Sequence, residues 1–158
     1  AIDEELINKV KKDLENFANF LSSAQIEPIL VSDKEALEIN WQDKVAFIYG
    51  NPRDNLFFRR LKIGIPLRFR DNAIEFGGKR YEGEGTLLIS CMPNPFNKKL
   101  PFTLCVANRP EDLIGVGSRI RGPSEWYVDY ILYRDDEKLD TGLYHKEKDK
   151  WSLVPKEK

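Results

Sequence analysis

The chain has 158 residues, 41% hydrophobic and 32% charged, with a formal net charge of −1. This is the length of one ordinary domain, able to bury roughly 70% of its unfolded surface, so neither disulfides nor a metal are needed as staples. The charge balance lacks the basic excess of a generic phosphate-backbone binder and the basic stripe of a membrane-surface helix, and no apolar run is long enough to span a bilayer.

Ile2 to Ala24 reads as an amphipathic helix. Ile7, Val10, Leu14, Phe17, Leu21 and Ala24 fall at 3–4 spacing on one stripe, and Asp3, Glu4 and Glu5 suit the positive end of its dipole. Ile26 to Val31 reads as a short strand interrupted by Pro28. Ser32-Asp33-Lys34-Glu35 is a capping-box pattern that opens a short helical turn through Leu37. Val45-Ala46-Phe47-Ile48-Tyr49 is a continuous apolar strand, of the kind usually central in a helix-covered sheet. Gly50-Asn51-Pro52 breaks it, and Asn51 or Asp54 can cap a helix carrying Leu56, Phe57, Arg60 and Leu61.

Short strands follow around two turn signals, Asp71-Asn72 and Gly77-Gly78, the second suited to a hairpin. Thr86 to Met92 and Phe102 to Ala107 are further apolar strands, with a Pro- and Asn-rich loop from Pro93 to Pro101 between them. Arg109-Pro110-Glu111-Asp112-Leu113 opens a helix. Trp126 to Arg134 alternates as a strand, Asp135-Asp136-Glu137-Lys138 is a polar turn, and Leu139 to His145 returns as the other arm. Lys146 to Lys158 is a charged end holding Trp151 and Leu153. These elements predict an α/β fold: a mixed, mainly parallel central sheet flanked by helices, with hairpin additions, in a single domain over 1–158. The start, acidic and without Met, gives the expectation of a piece of a longer protein, with the helix over 1–24 as a candidate connector. Abundant Lys and Glu with a single Met suit a thermophile.

The residues that carry chemistry are sparse. His145 stands alone, so it cannot build a multi-His metal site; a surface hairpin histidine is the plain reading, and a dyad with Cys91 or Cys105 the sharper one. The two cysteines lie in apolar runs, where inert buried thiols, a mutual disulfide and a reactive thiol are the alternatives. Gly-x-Ser-x-Gly and the phosphate-binding loop are absent, and Gly115-Val116-Gly117-Ser118 lacks the third glycine of a dinucleotide fingerprint. Asp135-Asp136-Glu137 reads as a solvated turn, not a paired-carboxylate site. Arg53, Arg59, Arg60, Lys62, Arg68 and Arg70 make a local basic stretch interleaved with Phe57, Phe58 and Phe69, a pattern that can stack single-stranded bases or simply supply core.

The best candidate surface is Gly50-Asn51-Pro52-Arg53-Asp54-Asn55. Ligands of open α/β sheets sit beyond strand carboxyl ends, and a helix N-terminus there offers N–H groups to an anion. Asn51 and Asn55 either add directional bonds to a ligand or cap the turn and tie neighbouring loops.

Tyr49-Gly50-Asn51-Pro52 with Asn55, Phe76-Gly77-Gly78-Lys79-Arg80-Tyr81, Pro93-Asn94-Pro95-Phe96-Asn97 and Ala107-Asn108 together resemble a small α/β domain of prokaryotic surface-layer-type proteins. The set is also similar to the accessory segment of large secreted prolyl-oligopeptidase or esterase-like peptidases. Asp129-Tyr130-Ile131-Leu132-Tyr133, Asp140-Thr141-Gly142-Leu143-Tyr144 and Trp151 resemble its closing hairpin, so the resemblance spans about Lys44 to Trp151. The pattern has Gly where this chain has Asn108 and Pro where it has Lys98. The resemblance implies no catalytic residue and implies loop-bracing roles for Asn55, Asn94 and Asn97.

The leading expectation is therefore a non-catalytic accessory or interaction domain, extracellular or at the cell surface, that needs no cofactor or metal. It would dock a neighbouring domain of a longer chain, or a surface polymer or protein, on loops carrying Gly50, Asn51, Arg53, Asn55, Asn94, Asn97 and Asn108. The alternatives are a small hydrolase or transferase using the Gly50–Asn55 crevice, with a cytoplasmic location open, and single-stranded nucleic-acid binding, the least favoured partner.

Overall fold

The structure, a computed structural model, describes residues 3–120 and 127–156. Helix α1 (Glu4–Ser23) is capped by the Asp3 carboxylate, which accepts from the Glu5 N–H, and of its residues only Phe17 is buried. The strand expected over Ile26 to Val31 does not form: residues 26–32 have no regular structure and Ile29 is 78% exposed. Pro28 at the centre of this stretch removes one donor and fixes φ, which disfavours pairing. Helix α2 (Asp33–Ala36) carries the expected capping box, with Ser32 Oγ accepting from Glu35 N (3.2 Å) and Glu35 accepting from Ser32 N (2.7 Å).

Strand β1 (Ala46–Gly50) leads to helix α3 (Leu56–Arg60). A small antiparallel sheet follows, of β2 (Leu67–Arg70), β3 (Ala73–Phe76) and β4 (Lys79–Tyr81). Its turns are the two predicted ones. Asp71 and Asn72 have φ of 50° and 60°, and Gly77 and Gly78 have 58° and 81°, the left-handed pairs that tight hairpins need. The main sheet adds β5 (Thr86–Asn94), β6 (Asn97–Ala107), β7 (Tyr130–Arg134) and β8 (Glu137–Gly142), in the order β1-β6-β5-β7-β8. A 3-10 turn (Pro110–Leu113) and helix α4 (Val116–Ile120) lie between β6 and β7. A last hairpin pairs β9 (Tyr144–Glu147), whose Tyr144 and His145 were expected in the arm from Leu139, with β10 (Lys150–Leu153), which forms where a charged end was expected. Trp126, the expected start of the β7 strand, lies outside the described residues.

The sheet is mixed, but it is not mainly parallel. Only β1 and β6 run parallel; β5–β6, β5–β7 and β7–β8 are antiparallel. The reason is local: β5–β6 and β7–β8 are joined by tight turns, which force antiparallel neighbours. The predicted 93–101 loop is mostly strand, because Pro93 sits opposite Pro101 and two residues lacking an N–H leave the ladder at one rung. The apolar strand β1 lies at the sheet edge, not its centre. Ala46 and Ile48 are buried on one face, while Val45 and Phe47 stay 56% and 38% exposed.

Both faces of the sheet are covered. On one, Ile48, Phe102, Leu104, Leu88, Met92 and Leu132 pack under α2, α3, the small sheet and the β9–β10 hairpin. On the other, Leu87, Cys105, Ala107, Ile131 and Tyr133 pack under Leu113 and Val116, and Phe17 of α1 meets Phe47 edge-on at 5.1 Å. Burying each such Leu or Phe stabilises the fold by roughly 1.5–3 kcal/mol.

Candidate functional site

Because β1 and β6 are parallel, their carboxyl ends meet at one pole of the sheet, where β5 begins. Gly50, Asn51, Arg53, Asn55 and Asn108 gather there. Asn94 and Asn97 lie at the other pole, at the β5–β6 turn. The eleven residues of β6 separate the two groups by roughly 30 Å. The seven predicted positions therefore form two clusters.

At the first pole Gly50 has φ +129°, a conformation glycine adopts readily. The chain then turns back over the strand ends. Asn51, 1% exposed, accepts with Oδ1 from the N–H groups of Arg53 (2.9 Å) and Asp54 (3.1 Å). Its Nδ2 donates to Ala107 O at 3.0 Å, fastening the turn to β6. Asn55 is the cap of α3: Oδ1 accepts from Phe58 N (2.8 Å) and Nδ2 donates to Tyr49 O (3.0 Å). The Leu56 N–H, which would otherwise face an incoming anion, donates to Asp33 of α2 at 2.8 Å. Arg53 forks onto Asp54 (2.9 and 2.8 Å) and reaches Asn72 of the β2–β3 turn at 2.7 Å. That guanidinium is the main cause holding the Asp54 carboxyl below its usual range, with the Asn51 amide adding to it. Arg59 donates to the carbonyls of Pro52 (2.7 Å) and Arg53 (2.6 Å).

Asn108, 4% exposed, joins three segments. It accepts from Ile74 N at 2.9 Å and donates to the carbonyls of Tyr81 (2.9 Å) and Gly83 (3.2 Å), tying the end of β6 to the small sheet. At the far pole Asn94, fully buried, donates to Trp41 O (2.8 Å) and Lys44 O (3.0 Å) and accepts from Phe96 N (2.8 Å). Asn97 donates to Gln42 O at 2.7 Å. Asn94 and Asn97 thus hold the approach to β1, and Asn51 holds its exit. Amides suit this work because one side chain carries both donors and an acceptor.

The other sequence candidates are dispersed. Phe57 and Phe58 are 6% and 2% exposed, so their rings face the core and not a base. Arg70 faces Glu75 on the small sheet, and Arg80 donates to the carbonyls of Arg70 and Asp71. His145 is exposed and meets Glu147 at 3.0 Å. Cys91 and Cys105 are free thiols in diagonal register, Cys91 opposite Thr103 and Cys105 opposite Ile89. Burial, the largest cause for each, pushes both thiols up, away from the reactive thiolate. Gly115 donates its N–H to Asp13 of α1 (3.1 Å), and Gly117 receives Phe17. Among the described residues no group of three His, Cys, Asp or Glu side chains is placed to hold a metal, and no helix is long and apolar enough to cross a membrane.

Several polar residues carry structure that sequence did not flag. Asp33 reaches α3 from a cap pattern that marks only its own helix. Ser90 Oγ donates to Cys91 O (2.8 Å), which leaves the Tyr144 hydroxyl to donate to Ser90 across 2.6 Å. Comparison with protein-family models, curated proteins and solved structures gives no match.

Proposed function

We propose that this chain is a non-catalytic accessory domain of a cell-surface or secreted protein, of the kind its loop motifs resemble, and that it docks a partner domain or a polymer. The observation that carries the reading is the use made of the loop amides. Asn51, Asn55, Asn94, Asn97 and Asn108 each bond the backbone of another segment or cap a helix. Loops held this way are rigid before any partner arrives, which lowers the ordering cost of binding. The hydrolase or transferase alternative draws less support, since the first donors of α3 already have acceptors within the chain.

Two measurements test the reading. Fractionation of the source cells with an antibody to the chain is expected to place it in the envelope or medium. The purified protein is expected to show no turnover of activated esters above buffer, and Asn55→Ala is expected to lower Tm. Turnover abolished by Asn55→Ala at unchanged Tm, or recovery of the chain wholly in the cytosol, overturns the proposal.

A further inference from the structure

Arg53, Arg80 and Arg109 are each engaged by a carboxylate at short range. The lysines near the β9–β10 turn are under-neutralised. Residues 62–66 and 149–153 run side by side, joined where Trp151 N donates to Gly64 O (2.7 Å), and border a cleft of about 510 Å³. Lys62 and Lys98 share one carboxylate, Asp149, at 4.0 and 3.1 Å. Lys148 and Lys150 make no ion pair among the described residues. Glu147, across the rung from Lys150, lies 3.0 Å from the His145 ring nitrogen. Between the lysines the wall is apolar, formed by Ile63, Pro66 and Trp151.

We propose that this cleft binds an acidic polysaccharide, with sugar carboxylates against Lys62, Lys98 and Lys150 and ring faces against Ile63 and Pro66. Charge complementarity selects a polyanion, and Asp149 already shows a carboxylate resting between Lys62 and Lys98. The geometry favours a glycan over nucleic acid. The aromatic residue lining the cleft, Trp151, has its ring engaged by the Lys146 ammonium at 5.1 Å and the Tyr144 ring at 5.9 Å, so bases lack a stacking platform. The cleft also carries lysine, a point charge suited to single carboxylates, and no arginine fork of the kind that grips phosphate bidentately. A stiff sugar chain loses less entropy than an acidic peptide on lying along an open cleft. The inference takes from the accessory-domain reading only the setting in which such a polymer is met.

Calorimetric titration of the full chain tests it, with polygalacturonate, neutral dextran, polyglutamate and a single-stranded DNA oligonucleotide as probes. Polygalacturonate is expected to bind more tightly than the other three, and more weakly as salt rises. The combined Lys62→Gln, Lys98→Gln, Lys150→Gln variant is expected to lose roughly tenfold in affinity, as three exposed ion pairs imply. Arg68→Gln with Arg70→Gln, on the small sheet, is expected to leave affinity unchanged. No binding of polygalacturonate, equal binding of DNA or polyglutamate, or an equal loss in the arginine variant overturns the proposal. So does full affinity in the lysine variant. Should that variant fold poorly by circular dichroism, Lys62→Gln alone, at a side chain 81% exposed, carries the test. These outcomes are independent of where fractionation places the chain, so a failure here leaves the accessory reading to its own test.

Discussion

At the residue scale the molecule depends on side-chain amides. Asn108 is buried and satisfies three backbone groups, so Asn108→Ala strands an N–H and two carbonyls. A loss of about 2–3 kcal/mol in urea denaturation is expected, against less than about 1 kcal/mol for the more exposed Asn97→Ala. Equal losses at the two sites would refute a bracing role graded by burial. Asp54 supplies the pH-dependent part. Its folded carboxyl titrates below the unfolded value of about 3.9, so its contribution is fully present above that value and is lost as pH falls through the folded one. Asp54→Asn is therefore expected to lower stability at neutral pH and to flatten the acid limb of the stability curve below about pH 4. Denaturation midpoints measured across that range check it, and an unchanged limb would show that Arg53 contributes nothing through this carboxylate.

At the scale of elements, packing of the last hairpin rests on a missing side chain. A Cβ on Gly64 would lie 2.6 Å from Asp149 O and 2.9 Å from Pro93 Cγ. Gly64→Ala is expected to push β9–β10 outward at a cost of about 1–3 kcal/mol, with faster hydrogen exchange at the Trp151 N–H. Exchange as slow as in the native chain would mean that the hairpin is held from elsewhere. What sequence revealed here was local. The capping box at Ser32 and the turns at Asp71-Asn72 and Gly77-Gly78 were legible because their geometry is decided by the residues that form them. Sheet order was not legible. Apolar residues on both sides of β1 mark two covered faces but do not show which strands lie beside it. The Asn- and Pro-rich stretch before Pro101 signalled a loop, yet the pairing of Pro93 with Pro101 lets strands run nearly to the turn. The candidate site was legible as residue types and illegible as geometry, since nothing local places Asn94 and Asn51 at opposite poles.

At the scale of the whole molecule, the two cores lie back to back across one sheet, and the thiols report on its opening. Cys105 is fully buried and Cys91 partly so, and burial disfavours the thiolate of each. With a thiol reagent at neutral pH, Cys105 is expected to label only at the rate of global unfolding, and Cys91 sooner but slowly. Peptide mass spectrometry over a time course separates the two. Labelling of Cys105 ahead of unfolding would show that the sheet opens locally under α1 and α4.

The two-ended grip on β1 has a consequence for how this chain can vary. Asn94 holds the carbonyls of Trp41 and Lys44, and Asn51 holds that of Ala107, so the path from 44 to 51 has a set length. One inserted residue would shift an anchor by about 3.3 Å and turn every following side chain to the other face of the sheet. The edge strand therefore accepts exchanges of side chain and no change of count.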